Sequence, residues 1–275
     1  MDNRLFVAYK PSCMVSNHFL SRIKRRYNVK KAGFSGTLDP FAQGVLIIAF
    51  GQFTKLFRFL KKAPKTYRAT LWLGATSPTL DIEKVEHVEQ MMAFHPDSVA
   101  FVLQSMVGEK TYLPPKYSAK KIDGQRAYDL ARADKAFELK AITSTIYDCH
   151  LVHYIHPFLT FEMTISEGGY VRSIGALIAE KLGFSGALSA LERLNEGDFV
   201  YDNEKELNPL DYLDLPLNAY LSDPSDILLG RKLVRENFEK NEEGIYQIII
   251  ADMLSVVEIS ANGVEYLLNS LSLKA

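Results

Sequence analysis

The sequence predicts a mixed α+β protein whose main domain combines strands and helices and is followed by a small β-rich appendage. Three observations support this. Residues 67–73 alternate Tyr67, Ala69, Leu71 and Leu73 with Arg68, Thr70 and Trp72, the period of two that a strand imposes. Phe19, Leu20, Ile23 and Tyr27 recur at the spacing of one helix face, with Arg22, Lys24, Arg25 and Arg26 largely on the other. After Phe199 the composition turns acidic, with Pro209, Pro216 and Pro224, and two apolar strand patterns, 245–250 and 256–259, precede an Asn262-Gly263 turn. With 275 residues, 47% of them hydrophobic, the chain can bury a core. We therefore expect one domain over 1–212 and a second over 213–275.

Taken in order, residues 5–9 form a short apolar strand that ends at Lys10-Pro11. Ser16 or Asn17 is placed to cap the basic helix. Residues 28–44 are loop-rich, and the continuous apolar run 45–50, closed by Gly51, reads as a buried strand. Residues 54–60 make a short helix with Leu56, Phe57 and Leu60 inward. In the strand 67–73, Arg68 and Trp72 are either solvated edge residues or an RNA-facing platform. A helix spans about 97–106, and residues 113–121 form an extended basic arm that leads through Gly124 into a helix with Tyr128, Leu130 and Ala131. Residues 143–165 read as two strands with a turn near His156-Pro157. Gly168-Gly169 opens a helix with Val171, Ile174, Ile178 and Leu182 on its buried stripe; the glycines serve either as a turn or as an anion-facing helix start. A second helix is expected over 187–194.

Charge singles out one residue. Between Asp2 and Asp81 the chain carries a long series of lysines and arginines and a single carboxylate, Asp39. A one-sign stretch points to a polyanionic partner. Asp39 itself has two readings. Asp before Pro between glycines commonly initiates a turn; alternatively, a carboxylate in a positive field keeps a depressed pKa and stays ionised, as a nucleophile must. The net charge of -1 hides an acidic counterweight at Asp202, Glu204, Glu206, Asp211, Asp214, Asp223 and Asp226.

Other classes lack their signatures. G-x-G-x-x-G, the Walker A loop and G-x-S-x-G are all missing from the sequence. Cys13 and Cys149 have no CxxC spacing, which suits a reducing cytoplasm. On a strand His150 and His156 face one way and His153 the other, so with Cys149 they do not converge on a metal. The apolar run 45–50 is far shorter than the about twenty residues of a membrane span.

Ser35-Gly36-Thr37-Leu38-Asp39-Pro40, followed by Gly44-Val45-Leu46, Gly51 and Thr54-Lys55, resembles the catalytic motif of the bacterial tRNA pseudouridine-55 synthases, the TruB family. Further matches follow in family order: Lys10-Pro11, Lys65-Thr66-Tyr67 with Leu73-Gly74, Pro114 to Lys120 with Gly124 and Tyr128 to Arg132, Gly168 to Arg172, and Leu191 to Leu194 with Gly197 and Phe199. The resemblance covers roughly 5–199. It implies a pseudouridine-synthase catalytic domain with a large, mainly antiparallel sheet flanked by helices, an RNA-gripping insertion at about 108–140, and a reduced PUA-type module in the tail. By the same resemblance Asp39 is the catalytic carboxylate, Tyr67 contacts the flipped base, Tyr170 and Leu191 line the pocket, and Arg172 pairs with Asp39. The implied partner is the T-arm stem-loop of tRNA, bound by a cytoplasmic monomer without cofactor, metal, membrane or obligatory protein partner. Lys10, Arg25, Arg26, Lys30, Lys31, Phe34, Lys55, Lys65, Lys116, Lys120 and Lys121 are the expected RNA contacts.

The chain departs from the family pattern at four places: Phe34 stands where His is common, Cys13 where Gly is, Val15 where Ser or Thr is, and Gly175-Ala176 lacks an acid often found in that helix. A non-catalytic tRNA-binding or folding module is the alternative reading. A hydrolase with paired carboxylates is disfavoured, because Asp39 has no acidic neighbour in sequence.

Overall fold

A computed structural model describes residues 3–118, 120–122, 124–133 and 135–274. Ala119, Asp123 and Asp134 of the expected insertion, with Met1, Asp2 and Ala275 at the ends, lie outside the described residues. In chain order the strands are β1 (Arg4–Lys10), β2 (Ala32–Ser35), β3 (Gln43–Phe50), β4 (Lys65–Leu73), β5 (Ala75–Thr76), β6 (His87–Val88), β7 (Gly108–Tyr112), β8 (Lys121–Ile122), β9 (Gln125–Arg126), β10 (Ile142–Ile155), β11 (Phe158–Ile165), β12 (Gly186–Glu196), β13 (Phe199–Val200), β14 (Gly244–Ile250), β15 (Met253–Ser260) and β16 (Gly263–Ser272). The α-helices are α1 (Ser16–Arg26), α2 (Pro96–Gln104), α3 (Ala127–Arg132), α4 (Val171–Lys181) and α5 (Pro224–Leu228). Among the described residues, no helix is long and apolar enough to cross a membrane.

The main sheet runs β1-β3-β12-β4-β11-β10-β7, with β2 on β3 and β13 on β12. Its pairings are antiparallel except for the parallel contact of β3 with β12, and helices flank it, as expected for the class. β3 is apolar on both faces because both are covered: Val45, Ile47 and Ala49 enter one core cluster, Leu46, Ile48 and Phe50 another. β4 buries Tyr67, Ala69, Leu71 and Leu73 as the alternation predicts, but it lies between β12 and β11 and is no edge. Arg68 pairs there with Glu162 at 2.6 Å, and the Trp72 ring stands 5.6 Å from that of Phe158.

Two local expectations are corrected. Residues 187–194 belong to strand β12, not to a helix. Ala187, Leu188, Leu191 and Leu194 fit a helical spacing, but a strand held between β3 and β4 also buries residues on both faces, so the period is ambiguous and the neighbours decide. Nor does Ser16 or Asn17 cap α1: Val15 occupies the N-cap without a side-chain bond, and Ser16 Oγ donates to Leu38 O (3.0 Å) and accepts from Leu38 N (3.1 Å). The cap candidate ties the helix to the Asp39 loop instead.

α4 lies on the sheet through Ile174, Ile178 and Ala179. A Cβ at Gly175 would come within 2.8 Å of the Leu188 side chain, so a larger residue there requires Leu188 to move. Cys13 adopts φ 58, the left-handed region that favours glycine, which accounts physically for glycine as the alternative at that position. In the C-terminal part β14-β15-β16 form an antiparallel meander, β16 adding a third strand to the two that the apolar patterns predict. One face of this sheet, through Leu254, Val256, Leu268 and Leu271, joins the cluster of Leu5, Val7, Val45 and Ile47; the other packs on Ile227, Leu233 and Phe238.

Candidate active site and RNA-facing surface

The segment between β2 and β3 carries Asp39, and the turn reading holds for its backbone: Ala42 N–H donates to Asp39 O at 3.1 Å. The side chain is free of that turn and meets Arg172 from the first turn of α4. Arg172 Nε lies 2.9 Å from Asp39 Oδ2 and Nη2 donates to Oδ1 at 3.0 Å. The remaining guanidinium contacts are Nη1 to Thr79 O (2.7 Å) and Asp81 Oδ2 (3.1 Å), and Nη2 to Tyr117 O (2.9 Å). Five contacts match the five N–H groups of an arginine. The Arg172 side chain is 5% exposed and Asp39 34%, so the carboxylate is the more accessible member of the pair.

That cavity, about 320 Å³, is lined by Asp39, Leu38, Tyr67, Tyr170, Arg172 and Leu191, with Lys65, Lys120 and Arg193 also on its wall. The structure thus brings together all five residues expected at the reacting centre. Burial pushes the Tyr170 phenol upward. The Gly168-Gly169 segment serves as the turn: Gly169 N–H donates to Ser166 O at 3.4 Å, and Tyr170 N–H is taken by the Tyr112 hydroxyl at 3.0 Å. A second cavity of about 370 Å³ shares Asp39, Leu38 and Arg172 with the first, and Phe34 lines it with Tyr117 and Tyr128.

Asp39 is not held at a depressed pKa. Burial raises it, the Arg172 charge opposes that rise, and Asp81 adds to it. The lone acid of the basic run is solvated less, and paired more specifically, than charge counting suggests.

Asp81 is the residue of the candidate site that sequence reading missed. It is 3% exposed; its Oδ1 accepts from Thr79 Oγ1 (2.6 Å) and Glu83 N–H (3.0 Å), while Oδ2 meets Arg172. The one available signal was that it is the first carboxylate after Asp39. A second acid does therefore approach Asp39 through space, but its oxygens are already engaged, and it is not the free partner a paired-carboxylate hydrolase uses.

The expected RNA contacts divide. Arg25, Lys30, Lys31, Lys55, Lys116 and Lys121 are exposed, and none of the six lines either of these two cavities. Lys120 is half-buried and donates to Lys140 O at 3.4 Å. Arg26 is exposed but pairs with Glu204 and lies over the Tyr27 ring. Two expectations are corrected by burial. Lys10 is 0% exposed and donates to Pro11 O (2.9 Å) and Met14 O (2.6 Å), with Pro40 O at 3.5 Å; desolvation pushes its ammonium down to about 8. It fastens the Asp39 loop from inside rather than meeting phosphate. Lys65, 9% exposed, pairs with Glu196 at 3.2 Å, so on the cavity wall its ammonium is held by that carboxylate.

Residues 24–171 match the family model described as TruB family pseudouridylate synthase (N terminal domain). The chain is 53% identical over 267 residues to "tRNA pseudouridine synthase B" of Sulfurovum sp. (strain NBC37-1), covering 97% of this chain and 96% of that one. It is 54% identical over 265 residues to the protein of the same name from Sulfurimonas denitrificans, covering 96% and 97%. Among solved structures, a chain of "Crystal Structure of a Cbf5-Nop10-Gar1 Complex" superposes with a TM-score of 0.66 at 19% identity, covering 97% of this chain and 85% of that one, a likeness of fold.

Proposed function

Because this chain belongs to the TruB family of pseudouridylate synthases, we propose that it isomerises the uridine at position 55 of tRNA, in the T-arm loop, with Asp39 as the catalytic carboxylate. The observation that carries the proposal is the two-point pairing of Asp39 with Arg172 at the wall of a cavity lined by Tyr67, Tyr170 and Leu191.

The reaction breaks the N1–C1′ bond, turns the uracil and joins C5 to C1′; the C5 hydrogen leaves as a proton and N1 takes one up. It is redox-neutral. Ionised Asp39 either attacks C1′ or removes a sugar proton on the way to a glycal; both need the carboxylate charged and close. Arg172 favours the charged form against the burial that opposes it. The apolar walls from Leu38 and Leu191 limit water around the detached base. Extruding the uridine costs about a few kcal/mol, offset by stacking on Tyr67. Phe34, in the adjoining cavity, offers a ring to a neighbouring base. Exposed Arg25, Lys30, Lys31, Lys55, Lys116 and Lys121 supply phosphate contacts. We place the catalytic domain at 1–212 and read 213–275 as an RNA-binding appendage; action as a monomer is part of the same proposal.

The test is tritium release from a T-arm stem-loop carrying 5-tritiated uridine, wild type against Asp39→Asn. We expect release by the wild type and none by the variant, with RNA binding retained. A silent tRNA-folding module would bind without release, and substantial turnover by Asp39→Asn would remove Asp39 from its role.

A further inference from the structure

Glu196 is 0% exposed, and no step of the proposed reaction uses it. Its Oε1 lies 3.2 Å from Lys65 Nζ and 3.3 Å from Ser35 Oγ; its Oε2 lies 3.2 Å from Arg193 Nη2. Arg193, 1% exposed, donates from Nη2 to Gly36 O and from Nε to Val45 O, each at 2.9 Å. The carboxylate thus gathers, from behind, two cations of the cavity wall and, through Arg193, reaches both ends of the segment that carries Asp39.

This cluster sits at a thin seam. Among the described residues, the parallel pairing of β3 with β12 consists of Glu192↔Gln43 and Arg193↔Gly44. On one side of the seam stand β2, β3 and the Asp39 segment between them; on the other stand β12 and β4, which carry Leu191 and Tyr67. Two backbone pairs fix strand register but leave the preceding segment to side chains. Gly36, at φ +64, leaves room for the cluster: a Cβ there would lie 2.8 Å from Glu196 Oε1.

Stability alone gives little reason for such a group. A buried ion cluster is commonly replaceable by apolar side chains at no cost, and Glu196 Oε2 has no hydrogen-bond donor, only the Arg193 charge nearby. We propose that Glu196 is a positioning residue, which through Arg193 and Lys65 sets the Asp39 segment against the wall that holds the base. The proposal rests on Asp39 being the catalytic carboxylate.

The experiment compares wild type, Glu196→Gln and Asp39→Asn on the T-arm stem-loop, reading single-turnover rate, RNA dissociation constant and melting temperature. Gln keeps the shape and removes the charge that gathers the two cations. The expected result for Glu196→Gln is a rate about a hundredfold lower at saturating enzyme, with the dissociation constant within about threefold of wild type, measured well below the melting temperature. A purely structural role would lower the melting temperature and leave the rate of the folded protein intact, and a rate within about threefold of wild type overturns the proposal. If Glu196→Gln does not fold, the paired change Arg193→Met with Glu196→Leu removes both charges at once, and a wild-type rate in that protein overturns it equally. Should Asp39→Asn itself turn over, the assignment of Asp39 fails; should Asp39→Asn be silent while Glu196→Gln is normal, the positioning role alone fails.

Discussion

Replacing Arg172 by Met tests the centre of the site most directly. The substitution preserves an unbranched apolar stem and deletes five polar contacts, with Asp39 (two), Asp81, Thr79 O and Tyr117 O. Its cost is dominated by Asp81. That carboxylate is 4% exposed and would be left buried without its cation, which costs about 3–5 kcal/mol, whereas Asp39 at 34% exposure is relieved by water and adds little. For a chain of this size the loss lowers the melting temperature by roughly 10 °C. The acid limb of the pH–rate profile moves as well. Arg172 is the main influence opposing the rise that burial imposes on Asp39, so its removal lets the pKa climb further and the limb shifts to higher pH. The sign for stability agrees. Between the ordinary carboxylate value and the raised one, the folded state binds more protons than the unfolded, so this group's contribution falls as pH rises, over a wider window in the variant. Adding Asp81→Leu removes the orphaned charge; the double variant regains most of the melting temperature but none of the activity, because Asp39 is still unheld. Thermal unfolding and tritium-release profiles of the three proteins check this. An unchanged acid limb in Arg172→Met, or recovery of turnover in the double variant, would refute the reasoning.

The other predictions concern the wall, the surface and the seam. Tyr67→Phe retains the fold and loses about tenfold or more in turnover; an unchanged rate would show that its hydroxyl is idle. Lys30→Gln with Lys31→Gln weakens stem-loop binding and lowers the salt slope by about one per lost phosphate contact, leaving the saturated rate unchanged, as filter binding across salt concentrations and single-turnover assays will report. Gly44→Ala forces a Cβ to 2.2 Å from Arg193 O at φ +113, so denaturant unfolding should show a loss of about 3 kcal/mol or more; a loss below about 1 kcal/mol would mean that the seam yields.

By itself the sequence determined what depends on near neighbours. The alternation of 67–73 and the helical spacing around Phe19 and Ile23 settle those elements because side-chain direction follows backbone period. The single acid in a basic run, with its flanking motif, marked the Asp39 segment, and the motif order pointed to the family and the mixed fold. Tertiary structure decided everything that turns on burial and on distant pairing. Lys10 and Lys65 count as surface cations in a composition, but lie inside because carbonyls accept hydrogen bonds from Lys10 and Glu196 pairs with Lys65. Residues 187–194 have a period that suits a helix or a doubly covered strand, and only the flanking β3 and β4 choose. Asp81 reaches Arg172 across 91 residues of chain and Glu196 reaches Ser35 across 161; no local pattern records such pairs, because a charge finds its partner through the fold and not along the sequence. The same holds for the pKa of Asp39, which the basic run suggested was lowered and which burial, a property of the folded state alone, raises.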